Sequence, residues 1–168
     1  NTFYDHISNL DNQLKQLFDK FSNQNNENEI YLFSDHGMTD VSRVINFNIE
    51  KEFGAMSLNS YLYFIDSTYL RVWIKDKNLT EKFKSYLSSK EFGELLTEEQ
   101  REEFGLTNRD FGDFIFRGKE GIMFVPNFYG GRANKAMHGY DSYLKSQNAI
   151  FSKINNHNNK INMPKTSK

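Results

Sequence analysis

The chain has 168 residues, 21 Lys and Arg against 22 Asp and Glu, and no Cys. That length suits one domain with a real core, and the near-balance of charge provides no basic face for a nucleic acid polymer. The missing cysteines exclude disulfide scaffolds, thiolate zinc sites and Cys nucleophiles, and no apolar run approaches the roughly 18–20 residues of a membrane-spanning segment.

Ile7, Leu10, Leu14, Leu17, Phe18 and Phe21 recur at three- and four-residue intervals, which predicts an amphipathic helix at the start of the chain. His6, near its first turn, reads as a surface or capping residue. The Asn-rich stretch from Ser22 to Glu29 reads as a surface loop. Four apolar residues, Ile30 to Phe33, then run into Ser34-Asp35-His36-Gly37-Met38, the pattern of a fully buried strand ending in a polar loop. Val44 to Ile49 is a candidate short strand. Tyr61–Asp66 and Tyr69–Lys75 are aromatic and β-branched, and they predict an antiparallel hairpin turning at Asp66-Ser67-Thr68, with Trp73 packing in the sheet.

Asn78-Leu79-Thr80-Glu81 and Thr97-Glu98-Glu99-Gln100 both have the spacing of a capping box, each predicting a helix start, with Gly105 ending the second helix. Phe111–Phe116 and Gly121–Val125 are strand candidates on either side of a charged turn, Arg117-Gly118-Lys119-Glu120. A loop with paired glycines and a basic cluster, Arg132 and Lys135, leads to Met137-His138-Gly139-Tyr140-Asp141. Ala149–Phe151 is a candidate closing strand. Residues 155–168 are polar and of low complexity; they predict a disordered tail that includes His157.

Asp35 and His36 are good ligands for a divalent ion, through a carboxylate oxygen and an imidazole nitrogen. Gly37 would let the backbone turn so that both reach one ion; an Asx-type turn with a surface His explains the same residues. His138-Gly139 repeats the pattern far along the chain, and two such loops can meet at one edge of a sheet, where open α/β folds place their ligands. Asp141 reads equally as a residue orienting a ligand or as a turn cap.

With these residues in hand, the chain resembles the type I phosphodiesterase/nucleotide pyrophosphatase family, within the alkaline phosphatase superfamily. The helix with Leu10-Asp11, the Ser34-Asp35-His36-Gly37-Met38 element, Phe111-Gly112-Asp113 and Met137-His138-Gly139-Tyr140-Asp141 stand in that family's order across roughly residues 5 to 152. The resemblance implies an α/β chain with a partial alkaline-phosphatase-like fold, a mixed sheet flanked by helices. Residues 1–154 would be the C-terminal portion of the catalytic domain, and about 58–125 a small α/β insertion.

It also implies two divalent ions, zinc first and manganese second, about 4 Å apart and clamping an in-line displacement at phosphorus. Asp35 and His36 would bind one ion and His138 the other. Asp141, Tyr140, Arg132 and Lys135 would stand near a small phosphodiester or nucleotide substrate. The family's Thr or Ser nucleophile, its first Asp ligand and a further Asp and His belong upstream and have no counterpart here, so no catalytic nucleophile is assigned. The expectation is a chain inactive alone, its partner being the missing N-terminal part of the domain, with an exposed sheet edge and a poorly covered core. The alternatives are a non-catalytic α/β interaction module and a phosphomonoester or phosphonate hydrolase of the same superfamily.

Overall fold

The computed structural model describes residues 2–22 and 29–155. In chain order the elements are α1 (Phe3–Ser22), β1 (Glu29–Phe33), β2 (Thr39–Asp40), β3 (Arg43–Asn46), α2 (Glu50–Phe53), β4 (Tyr61–Asp66), β5 (Tyr69–Ile74) and α3 (Thr80–Ser88). There follow β6 (Gly93–Leu95), α4 (Glu98–Glu103), β7 (Phe114–Gly118), β8 (Ile122–Val125), β9 (Ala136–Met137) and β10 (Phe151–Asn155). The chain is thus a mixed α/β structure with small sheets, and its contacts divide it into two units, residues 1–35 with 149–168 and residues 36–148. The expected Asn-rich loop and polar tail fall largely outside the described residues. Among the described residues no helix is long and apolar enough to cross a membrane.

In the first unit, α1 carries the predicted stripe and starts at a reciprocal cap. Thr2 N–H donates to Asp5 Oδ2 at 2.7 Å and Asp5 N–H donates to Thr2 Oγ1 at 3.3 Å. Ile7, Leu10 and Leu17 on the stripe are exposed. Among the described residues β1 pairs only with β10, antiparallel, with Phe33 against Phe151. The expected fully buried strand is therefore corrected: Phe33 is 70% exposed and Tyr31 and Leu32 are exposed with it. Four apolar residues in a row state that a strand has apolar surroundings to enter; they do not supply the layers that cover it.

The second unit contains the core. β4 and β5 form the predicted hairpin, and the sheet extends in the order β4-β5-β7-β6, all antiparallel. Along β5, Leu70, Val72 and Ile74 are buried while Tyr69, Arg71 and Trp73 are half-buried on the other face, the period of two that a one-sided sheet requires. Trp73 lies on that outer face, where its indole N–H donates to the carbonyl of Arg109 at 3.2 Å. β3 and β8 pair in parallel and bring Phe47 and Phe124 into the core, where the Phe47 ring meets Phe92, Phe116 and Phe124 at centroid distances of 5.1 to 5.6 Å. From α3, Phe83 lies flat on Phe53 with centroids 3.6 Å apart.

Of the local expectations, one holds and others change. The Thr97–Gln100 box forms as predicted at the start of α4, and Gly105 follows that helix with a φ of 68°. The Asn78 box does not form: Asp76 takes the Asn78 N–H at 3.0 Å, a 3-10 turn over Lys77–Leu79 follows, and α3 begins from that turn without a side-chain cap. Phe111 belongs to a short turn, and the strand shifts onward to Phe114–Gly118, which buries Arg117 instead of leaving it in a solvent turn. β7 and β8, adjacent in sequence, lie in different sheets.

Candidate functional site

The two His-Gly loops are brought together by a very short ladder. β2 and β9 pair antiparallel, Thr39 against Met137 and Asp40 against Ala136. One step further along that register sets Met38 opposite His138, so each loop is delivered to the same place. There the imidazoles of His36 and His138 stack, with centroids 3.6 Å apart and planes 16° from parallel. Both residues are half-buried, and Asp35, the last residue of the first unit, is exposed.

His36 Nδ1 lies 2.8 Å from the carbonyl oxygen of Gly37. A carbonyl only accepts, so Nδ1 carries the proton and donates, and in a neutral ring the in-plane lone pair then belongs to Nε2. Metal-binding imidazoles are commonly held in this way, the second nitrogen fixed by a backbone carbonyl. Among the described residues, however, no group of three or more His, Cys, Asp or Glu gathers in a way that could hold an ion.

The glycines earn their places differently. A Cβ on Gly37 would sit 2.0 Å from the carbonyl oxygen of Ser146. Gly37 is therefore needed for space beneath the 3-10 turn Lys145–Gln147, where the sequence suggested a need for a sharp bend. Gly139 has a φ of 82°, a left-handed conformation that disfavours other residues. The Thr68 hydroxyl, buried in the β4–β5 turn, donates to the carbonyl of Gly139 at 3.1 Å and to that of His138 at 3.3 Å.

Asp141 and Tyr140 face the protein. Asp141 Oδ2 accepts from Arg117 Nη2 at 2.7 Å, and its Oδ1 accepts from the Tyr143 N–H at 3.0 Å, a turn cap. Arg117 is 2% exposed and also donates to Glu94 Oε1 from Nη2 at 2.6 Å and from Nε at 3.0 Å. Burial opposes its charge, but the Glu94 hydrogen bond and the nearby carboxylates outweigh that and raise its pKa. The Tyr140 phenol is buried, and burial, with the Glu120 carboxylate adding, pushes its pKa up to about 12.

A cleft of about 580 Å³ adjoins His138 and is lined by Met38, Asp66, Thr68, Tyr69, Arg71 and Tyr129 among others. Arg132 and Lys135, singled out in the sequence, are exposed and do not line it. The cation at its wall is Arg71, which the sequence reading assigned to a strand and nothing more. Thr68, Arg117 and Gln147, which hold the His138 loop, also escaped notice. For Arg117 a signal existed: Phe114 to Phe116 runs straight into it, and a strand continues more readily than a turn begins.

A family model described as type I phosphodiesterase / nucleotide pyrophosphatase matches residues 1–141. No curated protein matches the sequence. Among solved structures, murine ectonucleotide pyrophosphatase / phosphodiesterase 5 is similar with a TM-score of 0.67 at 22% identity, over 86% of this chain and 39% of the murine chain. An inactive form of that murine protein in complex with AMP gives 0.57 at 21% identity, over 73% and 32%. Phosphonoacetate hydrolase from Sinorhizobium meliloti, in complex with phosphonoformate, gives 0.54 at 15% identity, over 76% and 36%. These likenesses show a shared fold, and this chain spans well under half the length of each.

Proposed function

Because the chain belongs to the type I phosphodiesterase / nucleotide pyrophosphatase family, we propose that it supplies part of the metal centre of a hydrolase that cleaves phosphodiester or pyrophosphate bonds in small nucleotides. The observation that carries this reading is the stack of His36 on His138, two imidazoles from distant loops joined face to face. The AMP complex of the murine relative supports a nucleotide as the substrate class.

The donor set fits two ions better than one. A nitrogen lone pair lies in the plane of its ring, and nearly parallel rings 3.6 Å apart have no common in-plane point from which both could bind a single ion. His36, with Asp35 beside it in the chain, would hold one ion and His138 the other. Bound divalent ions, zinc first and manganese second for carboxylate and imidazole donors, would supply the positive charge that stabilises the attacking and leaving oxygens. The nucleophile and the remaining ligands would come from the portion of the domain outside this chain, so this chain alone would not turn over substrate.

The chain's own residues would then do three things. The Gly37 carbonyl holds the His36 proton on Nδ1 and keeps Nε2 as the binding atom. Thr68 and Arg117 fix the backbone on either side of the Gly139 turn, through the carbonyls of His138 and Gly139 and the carboxylate of Asp141. Arg71, at the wall of the cleft beside His138, would meet the anionic end of the substrate.

The test joins this chain to the rest of its catalytic domain and assays a nitrophenyl phosphodiester with and without zinc. Activity is expected to require metal and to fall sharply in His36→Ala and His138→Ala. Hydrolysis insensitive to both substitutions and to a chelator would overturn the reading. The fold shared with phosphonoacetate hydrolase favours a second reading, a phosphonate substrate, which the same protein tests when phosphonoacetate replaces the diester.

A further inference from the structure

Gln147 touches the backbone next to both stacked histidines. It closes the 3-10 turn Lys145–Gln147 and is half-buried. Its backbone carbonyl accepts from the Gly37 N–H at 3.0 Å, directly after His36. Its side-chain Oε1 accepts from the Gly139 N–H at 3.0 Å and the Tyr140 N–H at 3.3 Å, directly after His138. Its Nε2 donates to Thr39 Oγ1 at 3.0 Å and to Ser146 Oγ at 3.3 Å.

The head group is therefore fully used. A carboxamide offers an acceptor with two lone pairs and a donor with two hydrogens, and all four are engaged. This also fixes which way it points, because a flipped amide would turn its NH2 toward two backbone N–H donors. The oxygen is tied to the His138 loop and the nitrogen to Thr39, which belongs to β2 and follows the His36 loop. Gly37 closes the arrangement, since a Cβ there would collide with the carbonyl of Ser146, the residue before Gln147.

We propose that Gln147 is a positioning residue that sets the face-to-face spacing of the His36 and His138 imidazoles. Its consequence for metal binding rests on the function proposed above; the positioning itself does not. Without the clamp, the two paired positions of the β2–β9 ladder and the Val41 N–H to Lys135 carbonyl bond at 2.8 Å would connect the loops through backbone, and a ladder that short is weak.

The experiment is imidazole and amide NMR on the full chain. The shift change of the His138 ring protons caused by His36→Ala calibrates the stacking signal. Gln147→Met, close in length but lacking the amide, is expected to lose most of that signal and to raise amide exchange at Gly139 and Tyr140 about tenfold. Amides in β5 serve as the control for global folding. Gln147→Glu keeps the accepting oxygen but loses the donor to Thr39, so it is expected to retain the Gly139 and Tyr140 protection and to lose part of the stacking signal.

An unchanged stacking signal in Gln147→Met overturns the proposal. If Gln147→Met fails to fold, Gln147→Glu decides: an unchanged stacking signal overturns the proposal, and a reduced signal supports it. Zinc alone, added to the chain joined to the rest of its catalytic domain, separates the two readings. Stacking that depends on Gln147 while zinc moves neither ring leaves the positioning role standing and counts against the metal centre.

Discussion

The imidazole of His36 lies on that of His138, centroids 3.6 Å apart and planes 16° from parallel. Two such rings in near-parallel planes share no in-plane point at which both could bind one ion. That geometry distinguishes a pair sharing one ion from a pair serving two, and it leads directly to a measurement.

If each ring serves its own ion, His36→Ala should leave the His138 ring still responsive to zinc, and His138→Ala should leave His36 responsive. Each substitution is expected to weaken overall zinc binding by about tenfold or more, since affinity depends on ligands held together. Zinc titration followed by imidazole NMR reads both. Loss of the response at both rings in either variant would mean that one ion is shared.

Gly37→Ala is expected to destabilise the second unit by about 1–3 kcal/mol, the usual range for forcing an extra methyl into a packed site. The added carbon would begin 2.0 Å from the Ser146 carbonyl oxygen, and backbone cannot yield as a flexible side chain can. Urea denaturation measures the loss. Gly105→Ala is the contrasting control: nothing lies within 4 Å of its added carbon, and the cost there comes only from the φ of 68°.

Arg117→Met removes a buried cation that one nitrogen, Nη2, shares between Glu94 and Asp141. The expected cost is about 2 kcal/mol, at the level of charged hydrogen bonds and below a fully buried ion pair, because both carboxylates are partly exposed and regain water. Asp141→Asn should cost less, since Glu94 still balances the guanidinium. Denaturant midpoints of the two variants give the order.

Tyr61 and Tyr140 are buried, and burial pushes both phenols up to about 12, with Glu50 adding at Tyr61 and Glu120 at Tyr140. An unfolded tyrosine ionises near 10. As pH rises past that value the unfolded chain loses these protons first, so the stability they contribute is intact below about pH 10 and drains as pH climbs toward 12. Absorbance titration of the nine tyrosines should show a late-ionising fraction, and denaturation midpoints should fall over the same interval. A single transition near 10 in the folded protein would contradict this.

Much of the local structure was legible without coordinates. The apolar stripe from Ile7 to Phe21 names α1, the aromatic and β-branched runs Tyr61–Asp66 and Tyr69–Lys75 name the hairpin, and Thr97 with Gln100 names the start of α4. Each of these signals is complete within one helical turn or one strand, so neighbours in sequence suffice to read it. The two His-Gly loops were legible for the same reason, as residue types with ligand chemistry following apolar runs.

What required tertiary structure was every question of who meets whom. The Ile30–Phe33 run announced a strand but could not state that it pairs with β10 and stays exposed. Arg117 looked like part of a solvent turn because its carboxylate partners, Glu94 and Asp141, are each more than twenty positions away. Gln147 carried no signal at all: a glutamine is polar wherever it stands, and its role exists only once Gly37, Thr39, Gly139 and Tyr140 surround its amide. The sequence by itself determined which side chains can bind an ion and which segments form helices and strands, because those are properties of short stretches. The register of β2 on β9 and the stacking of residue 36 on residue 138 belong to the fold alone, because long-range pairing is decided by the joint packing of the segments between them.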